Sequence, residues 1–391
     1  MIPGRLGGEY MNNKKKIILG AFGIAILASG LTLGGAYYFL GMNQYKLADT
    51  MRFFHAMRFI ETQFVNEVDD TKLIDGAISG MMQSLADPHS VYMDQGMYKD
   101  LVSHTEGSFG GIGVVMGVKD NIITVISAIE GTPGEAAGIQ TGDQIIKIND
   151  EETKDMPIDQ VANKIRGDAG TKVVLTIHRQ GVEDKDYEIT RSNIETKSVG
   201  HEMMDNGIGY IRIASFGERT GQEFKTAYAD LESKGMKGMV LDLRNNPGGL
   251  LTASVDIANM LVPKGKIVSI DKRDGSEEVH NSTLEQVKYP LVVLINGGSA
   301  SASEIVAGAI QDTQAGTLVG TKSYGKGSVQ VVMPMYGGTA LKLTIAKYYT
   351  PSGRSIDGIG IDPDVPVELD VNGGVDNQLA KALTVLQEKM Q

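Results

Sequence analysis

The sequence predicts a multidomain α/β protein with an N-terminal transmembrane helix, a helical arm, a β-rich domain with two helices, and a layered α/β core. Three observations carry this. Residues 17–40 hold no charged residue and follow Lys14-Lys15-Lys16. From Gly107 the chain breaks into short β-like runs. From Asn193 onward strand-like and helix-like runs alternate, the pattern of packed α and β layers.

At 391 residues the chain is expected to hold two or three domains, and 41% hydrophobic residues suffice for real cores. A net charge of -11 disfavours a nucleic-acid partner. There is no Cys, which excludes disulfides, thiolate metal sites and a cysteine nucleophile.

The 24 positions from 17 to 40 exceed the roughly 20 that span a bilayer as a helix. Positive charge ahead of them puts that end in the cytoplasm and the rest of the chain outside. The expectation is therefore a single-pass protein of the cytoplasmic membrane with an extracytoplasmic catalytic part. The alternative is a cleaved signal peptide ending near Ala28-Ser29-Gly30. The expected divisions are a tail at 1–16, an anchor at 17–40, a helical region at 41–105, a β-rich domain at 106–192 and the core at 193–391.

In the helical region Phe53, Phe54, Met57, Ile60 and Phe64 recur at helical spacing, as do Leu73, Ile74, Ala77, Ile78, Met81 and Met82. Asp87-Pro88-His89-Ser90 breaks the pattern as a turn. His55, His89 and His104 lack any metal-ligand spacing, and no metal or organic cofactor is expected.

The β-rich domain opens on Gly110-Gly111-Ile112-Gly113-Val114. Such a loop ahead of a strand exposes successive N–H groups that hold a carboxylate, while the strand edge pairs with a peptide. Pro133-Gly134-Glu-Ala-Ala-Gly138-Ile139 and Gly142-Asp143-Gln-Ile-Ile-Lys-Ile-Asn149 follow, and the combination resembles the PDZ domain. The resemblance implies that this domain binds C-terminal tails, with Gly111, Ile112, Gly113 and Val114 at the peptide. Arg166, ending a helix-like run, is a candidate sensor of peptide or of the next domain; the plain alternative is an exposed helix-end arginine.

In the core, an apolar strand-like run ends at Ile295 and Asn296-Gly-Gly-Ser-Ala-Ser-Ala-Ser-Glu304 leads into a helix-like one. A serine at a helix start meets unpaired N–H groups and the positive end of the dipole, a setting that suits a nucleophile whose attack creates an oxyanion. Ser301 and Glu304 also form an S-x-x-E capping box, which needs no catalysis to explain it. A serine nucleophile needs a base. His201 and His280 lie in no glycine-flanked or strand-end setting. Lys326 lies between two glycines, and a lysine serves as base only when burial depresses its pKa, since at the ordinary value about one in 2,000 is neutral at pH 7. In an extended strand Lys326, Ser328 and Gln330 share a face, so Gln330 is placed to hold the amine. The Pro247-Gly248-Gly249 turn is a second source of N–H donors beside that of Ala302. Ser299 and Ser303 remain alternative nucleophiles, and either glycine an alternative donor.

The ordered set Asp242-Leu-Arg-Asn-Asn-Pro-Gly-Gly249, Ser299-Ala-Ser-Ala-Ser-Glu304, Gly325-Lys-Gly-Ser-Val-Gln330 and Leu341-Lys-Leu-Thr344, with Leu85-Ala-Asp-Pro-His-Ser90 upstream, resembles the C-terminal processing peptidases. These are serine proteases with a Ser–Lys dyad on a crotonase-like core behind a PDZ domain. The resemblance implies Ser301 as nucleophile, Lys326 as general base, Gln330 as the residue that positions the lysine, and Gly248 or Gly249 with the Ala302 amide as oxyanion hole. It implies protein or peptide partners with accessible C-termini, a membrane partner and a homodimer or higher homo-oligomer. A non-catalytic membrane-tethered PDZ adaptor is the alternative function; an acyl-CoA enzyme on the same kind of core is a third reading.

Overall fold

A computed structural model describes residues 44–119, 122–370 and 374–391, and the chain divides into one unit up to Ser84 and a second from Leu85. The first unit carries α1 (Gln44–Gln63) and α2 (Asp70–Gln83). Asp69 caps α2, accepting from the N–H groups of Thr71 and Lys72 at 3.0 and 3.2 Å. Phe54, Phe59 and Phe64 of this region are exposed.

The expected transmembrane helix is corrected here. Residues 17–40 lie outside the described residues, and among those described no helix is long and apolar enough to cross a membrane. Among the described residues the architecture is a β-rich domain joined to a layered α/β core, with no helix that could span a membrane, and the expected placement in the cytoplasmic membrane is corrected with it.

The second unit opens with β1 (Val91–Met93) and α3 (Gln95–Glu106). Next, β2 (Ser108–Gly111) pairs antiparallel with β9 (Ser192–Glu195), closing a two-stranded stalk through which the intervening domain is inserted. That domain holds β3 (Val114–Lys119), β4 (Ile122–Ala128), α4 (Pro133–Ala136), β5 (Gln144–Ile148), β6 (Glu151–Glu152), α5 (Ile158–Ile165), β7 (Lys172–His178) and β8 (Lys185–Thr190). Its sheet runs β3-β4-β5-β7-β8, with β6 on β5. Strand β7 shows why: Val173, Leu175 and Ile177 alternate with less buried neighbours and pack with Ile112, Val125 and Val161 into one core. Strand β3 is left as an edge.

The core begins with β10 (Val199–Met204), β11 (Ile208–Ile213), α6 (Thr220–Ser233), β12 (Gly238–Asp242), α7 (Leu251–Leu261), β13 (Gly265–Lys272) and β14 (Glu277–Ser282). It continues through β15 (Leu291–Ile295), α8 (Ala302–Asp312), β16 (Thr317–Gly320), β17 (Ser328–Pro334), β18 (Ala340–Tyr349), β19 (Val365–Pro366) and α9 (Asn377–Lys389). One sheet runs β10-β11-β12-β15-β16-β19, parallel from β11 onward. Every residue of β12 and β15 is buried, as in parallel sheets covered on both faces. Leu241, Val293 and Ile295 face a core shared with α6, α7 and α8; Val240, Val292 and Leu294 face α9. A second sheet, β1-β18-β13-β14 with β17 on β18, closes over α8 and contributes Ile267, Ile270, Ala346 and Tyr348 to the larger core. Helix α8 is thereby buried along its length, and burying side chains such as Val306 and Ile310 stabilises by roughly 1.5–3 kcal/mol each.

Candidate active site

Strands β12 and β15 are parallel neighbours, so the loops after them emerge side by side at their carboxyl ends, where open α/β sheets build sites. The loops are laced together. The Asn245 N–H donates to Asn296 Oδ1 at 2.9 Å, the Ala300 N–H to the Asn246 carbonyl at 3.0 Å, and the Ser299 and Ser303 hydroxyls to the carbonyls of Leu243 and Asn246 at 2.8 and 2.9 Å. Both flanking serines are thus fully buried and committed, while Ser301 between them is partly exposed.

Ser301 has φ 52° and ψ −111°, a conformation that side chains other than glycine's rarely adopt and that costs about 1–3 kcal/mol. Glu304 sustains it. This carboxylate is fully buried, and four donors converge on it. Oε2 accepts from the N–H groups of Ser301 and Lys326 at 2.8 and 2.9 Å. Oε1 accepts from the Gly325 N–H at 2.7 Å and the Ser323 hydroxyl at 2.5 Å. The capping box is present, and it reaches 22 residues further to hold the backbone of Lys326.

Two groups stand at the head of α8. The Ala302 N–H, the first of the helix, has no acceptor among the described residues. The Gly248 N–H is taken by Asn246 Oδ1 at 2.9 Å, whereas that of Gly249 has no acceptor among the described residues. Gly249 has φ 145°, and an added Cβ would lie 2.1 Å from the Phe216 carbonyl oxygen, so only glycine fits there.

Lys326 is half-buried, and burial together with the charge of Lys342 lowers its pKa against the opposing pull of Glu304 and Asp87. Tyr348, 2% exposed on β18, donates its hydroxyl to the Lys326 carbonyl and lies against the Ser301 hydroxyl; burial raises its pKa well above the usual value. A bulge between Val329 and Gln330 interrupts the strand alternation expected for Lys326, Ser328 and Gln330. The side chains of Gln330 and Ser328 nevertheless meet, Gln330 Nε2 donating to Ser328 Oγ at 2.9 Å and to Thr344 Oγ1 at 3.1 Å. Glu304 stood in the sequence only as half of a capping box, Thr344 stood in a motif without a role, and Tyr348 went unnoticed: a buried tyrosine in an extended run gives no local sign of what its hydroxyl meets. His201 and His280 lie elsewhere, His201 Nε2 hydrogen-bonded to Asp230 at 2.9 Å and His280 Nε2 3.2 Å from Glu278 without a hydrogen bond to it.

In the inserted domain the Ile112 side chain is 1% exposed and belongs to the core, so only its backbone is available to a ligand. The N–H groups of Ile112 and Gly113 have no acceptor among the described residues. Gly113 has φ 73°, and a Cβ there would lie 2.3 Å from that of Thr132. Gly111 ends β2 and Val114 begins the free edge of β3, which faces α5. Arg166 is exposed at the end of α5, its guanidinium 5.0 Å from the Phe109 ring centroid, on the wall of a cavity of about 880 Å³ that also meets Arg219 and Thr220 of the core.

Sequence models of three known families match parts of the chain. That of peptidase family S41 matches residues 207–367, that of the PDZ domain residues 124–179, and that described as the N-terminal domain of the activating protease CtpB residues 41–97. A carboxy-terminal-processing protease of Bartonella bacilliformis is 44% identical over 334 residues, covering 83% of this chain and 76% of that protein. The chain belongs to peptidase family S41, among the carboxy-terminal processing proteases. The carboxy-terminal processing protease CtpA of Bacillus subtilis is 42% identical over 351 residues, covering 88% of this chain and 75% of that one. Among solved structures, a photosystem II D1 C-terminal processing protease superposes with a TM-score of 0.51 at 29% identity, over 89% of this chain and 92% of that one. As an S41 peptidase the protein is a serine protease carrying a PDZ domain, a hydrolase whose substrates are proteins or peptides.

Proposed function

We propose that this S41 peptidase captures free protein C-termini on its PDZ domain and cleaves them with a Ser301–Lys326 dyad. One observation carries the reading: the N–H groups of Ser301 and Lys326 donate to the same oxygen of a buried carboxylate, Glu304 Oε2. The strained serine and the pKa-depressed lysine are thereby tied together at the head of α8. In the reaction, Ser301 Oγ attacks the scissile carbonyl carbon as Lys326 Nζ takes its proton. The oxyanion is held by the N–H groups of Ala302 and Gly249, the two left without acceptors. The C–N bond breaks, Lys326 returns the proton to the departing amine, and an acyl-enzyme remains. Lys326 then takes a proton from water, which attacks the acyl carbon, and Ser301 leaves with that proton. Gln330 positions the lysine amine. On the PDZ domain the free amides of Ile112 and Gly113, between Gly111 and Val114, receive the terminal carboxylate while the peptide pairs with the β3 edge.

The test is cleavage of one peptide in free-acid and amidated form, with a serine-reactive phosphonate mapped by mass spectrometry. The free acid is expected to be cleaved about tenfold better, the size of a lost charge-assisted hydrogen bond, and the label is expected on Ser301. Equal cleavage of both peptides would remove the C-terminal recognition, and a label on Ser299 or Ser303 would remove the assigned nucleophile.

A further inference from the structure

The turn Asp87-Pro88-His89-Ser90 enters neither the fold's core nor the dyad, yet the structure carries it to the edge of β18 opposite β17, across Thr344 from Gln330. Strand β1 pairs with β18 through Val91↔Lys342, and this brings Ser90 beside Thr344. The Thr344 N–H donates to Ser90 Oγ at 3.0 Å, and the Ser90 hydroxyl, 8% exposed, donates onward to Asp87 Oδ2 at 2.5 Å. Asp87 Oδ1 accepts from the His89 N–H at 3.0 Å. The Ser90 hydroxyl first and the Thr344 hydroxyl second hold the Asp87 carboxyl below its ordinary pKa. On its other side Thr344 Oγ1 accepts from Gln330 Nε2 at 3.1 Å.

We propose that Asp87 and Thr344 are positioning residues that fix the side-chain amide of Gln330 with its oxygen turned to Lys326. The inference rests on the dyad assigned above. Its logic is one of donors and acceptors. Asp87, joined to the Thr344 N–H through the Ser90 hydroxyl, is the carboxylate beside Thr344, and an ionised carboxylate only accepts, so in this reading the single proton of the Thr344 hydroxyl turns toward it. The hydroxyl's lone pairs are then what Gln330 meets, and Gln330 must answer with its NH2 group. Both of its N–H bonds are spent, on Thr344 and Ser328, which leaves Oε1 as the end free for the lysine. A neutral lysine that donates to Oε1 keeps its lone pair for the proton of Ser301. A reversed amide would donate into that lone pair and block the base. Without the carboxylate, Thr344 is free to donate to Gln330 and nothing opposes the reversal.

The decisive comparison is Thr344→Val against Thr344→Ser, with Asp87→Asn as a variant outside the core, each measured in kcat, KM, melting temperature and the pH profile of kcat/KM. The groups whose charge or hydroxyl faces Lys326 are Glu304 from α8, Lys342 and Tyr348 from β18, and Asp87 itself. Thr344→Val is expected to lower kcat about tenfold at unchanged KM, one positioning hydrogen bond's worth, and Thr344→Ser to restore it. Asp87→Asn is expected to lower kcat similarly and to move the acid limb to lower pH, because the Asp87 charge favours protonated Lys326. Wild-type kcat and an unmoved limb in Thr344→Val and Asp87→Asn, beside an inactive Lys326→Arg, would overturn the relay and leave the dyad standing. A Thr344→Ser variant as impaired as Thr344→Val would also overturn it. Activity in Lys326→Arg would instead overturn the dyad beneath it.

Discussion

Lys326→Arg is expected to lose peptide cleavage by about 10²–10⁴-fold in kcat, the usual contribution of a general base, at an unchanged melting temperature. Arginine keeps the positive charge and much of the length but does not give up its proton in a protein, so it cannot accept one from Ser301. The substitution therefore separates a base from a mere counter-charge to Glu304. Only the amide of Lys326, not its amine, is held by Glu304 Oε2, so the backbone anchor survives the change. Combining Lys326→Arg with Ser301→Ala is expected to be no worse than Ser301→Ala alone, because groups acting as a unit fail together. Wild-type turnover in Lys326→Arg would dismiss the lysine as base.

Glu304→Gln is expected to lower both the melting temperature and the activity, although it is nearly isosteric. The carboxylate receives donors at both oxygens, three of them backbone N–H groups. Whichever way a glutamine amide sits, its NH2 faces at least one of these, and a buried donor without acceptor costs about 1–3 kcal/mol. The Ser323 hydroxyl can rotate to accommodate the amide; the N–H groups of Ser301, Gly325 and Lys326 cannot. The loop holding the strained φ of Ser301 then relaxes, so activity is expected to fall further than the loss of folded protein explains. Thermal melting alongside kcat checks both parts. An unchanged melting temperature with full activity would show that the fourfold convergence on Glu304 is incidental.

The layered core was legible because its parallel strands are continuous apolar runs and its helices end at glycines or polar turns. The hairpin β13–β14 was not, since Glu277–Ser282 carries almost no apolar alternation and the strand that pairs with the other edge of β13 is β18, distant in sequence. Ser301, Lys326 and Gln330 stood out through motif and glycine context. Their mutual placement did not follow from strand periodicity, because the bulge at Gln330 breaks the alternation that reasoning used. Glu304 read as half of a helix cap, which it is. That its other oxygen lone pairs hold residues 323–326 is a fact of tertiary packing, and a local cap signal cannot carry it. For the same reason the choice between Gly248 and Gly249 needed the Asn246 side chain, whose amide oxygen takes one N–H and leaves the other.

The most direct test of the account is the pH dependence of kcat/KM in the wild type and in Lys342→Met. Protonated Lys326 cannot accept the Ser301 proton, so activity must rise with pH through the lysine's own pKa. Burial, and after it the charge of Lys342, hold that pKa below the ordinary lysine value of about 10.4. The account predicts an acid limb whose midpoint lies below that value and moves to higher pH when Lys342→Met removes the like charge. A limb that stays in place in Lys342→Met, or cleavage that continues undiminished at pH far below the limb, would contradict a neutral Lys326 as the base of this protease.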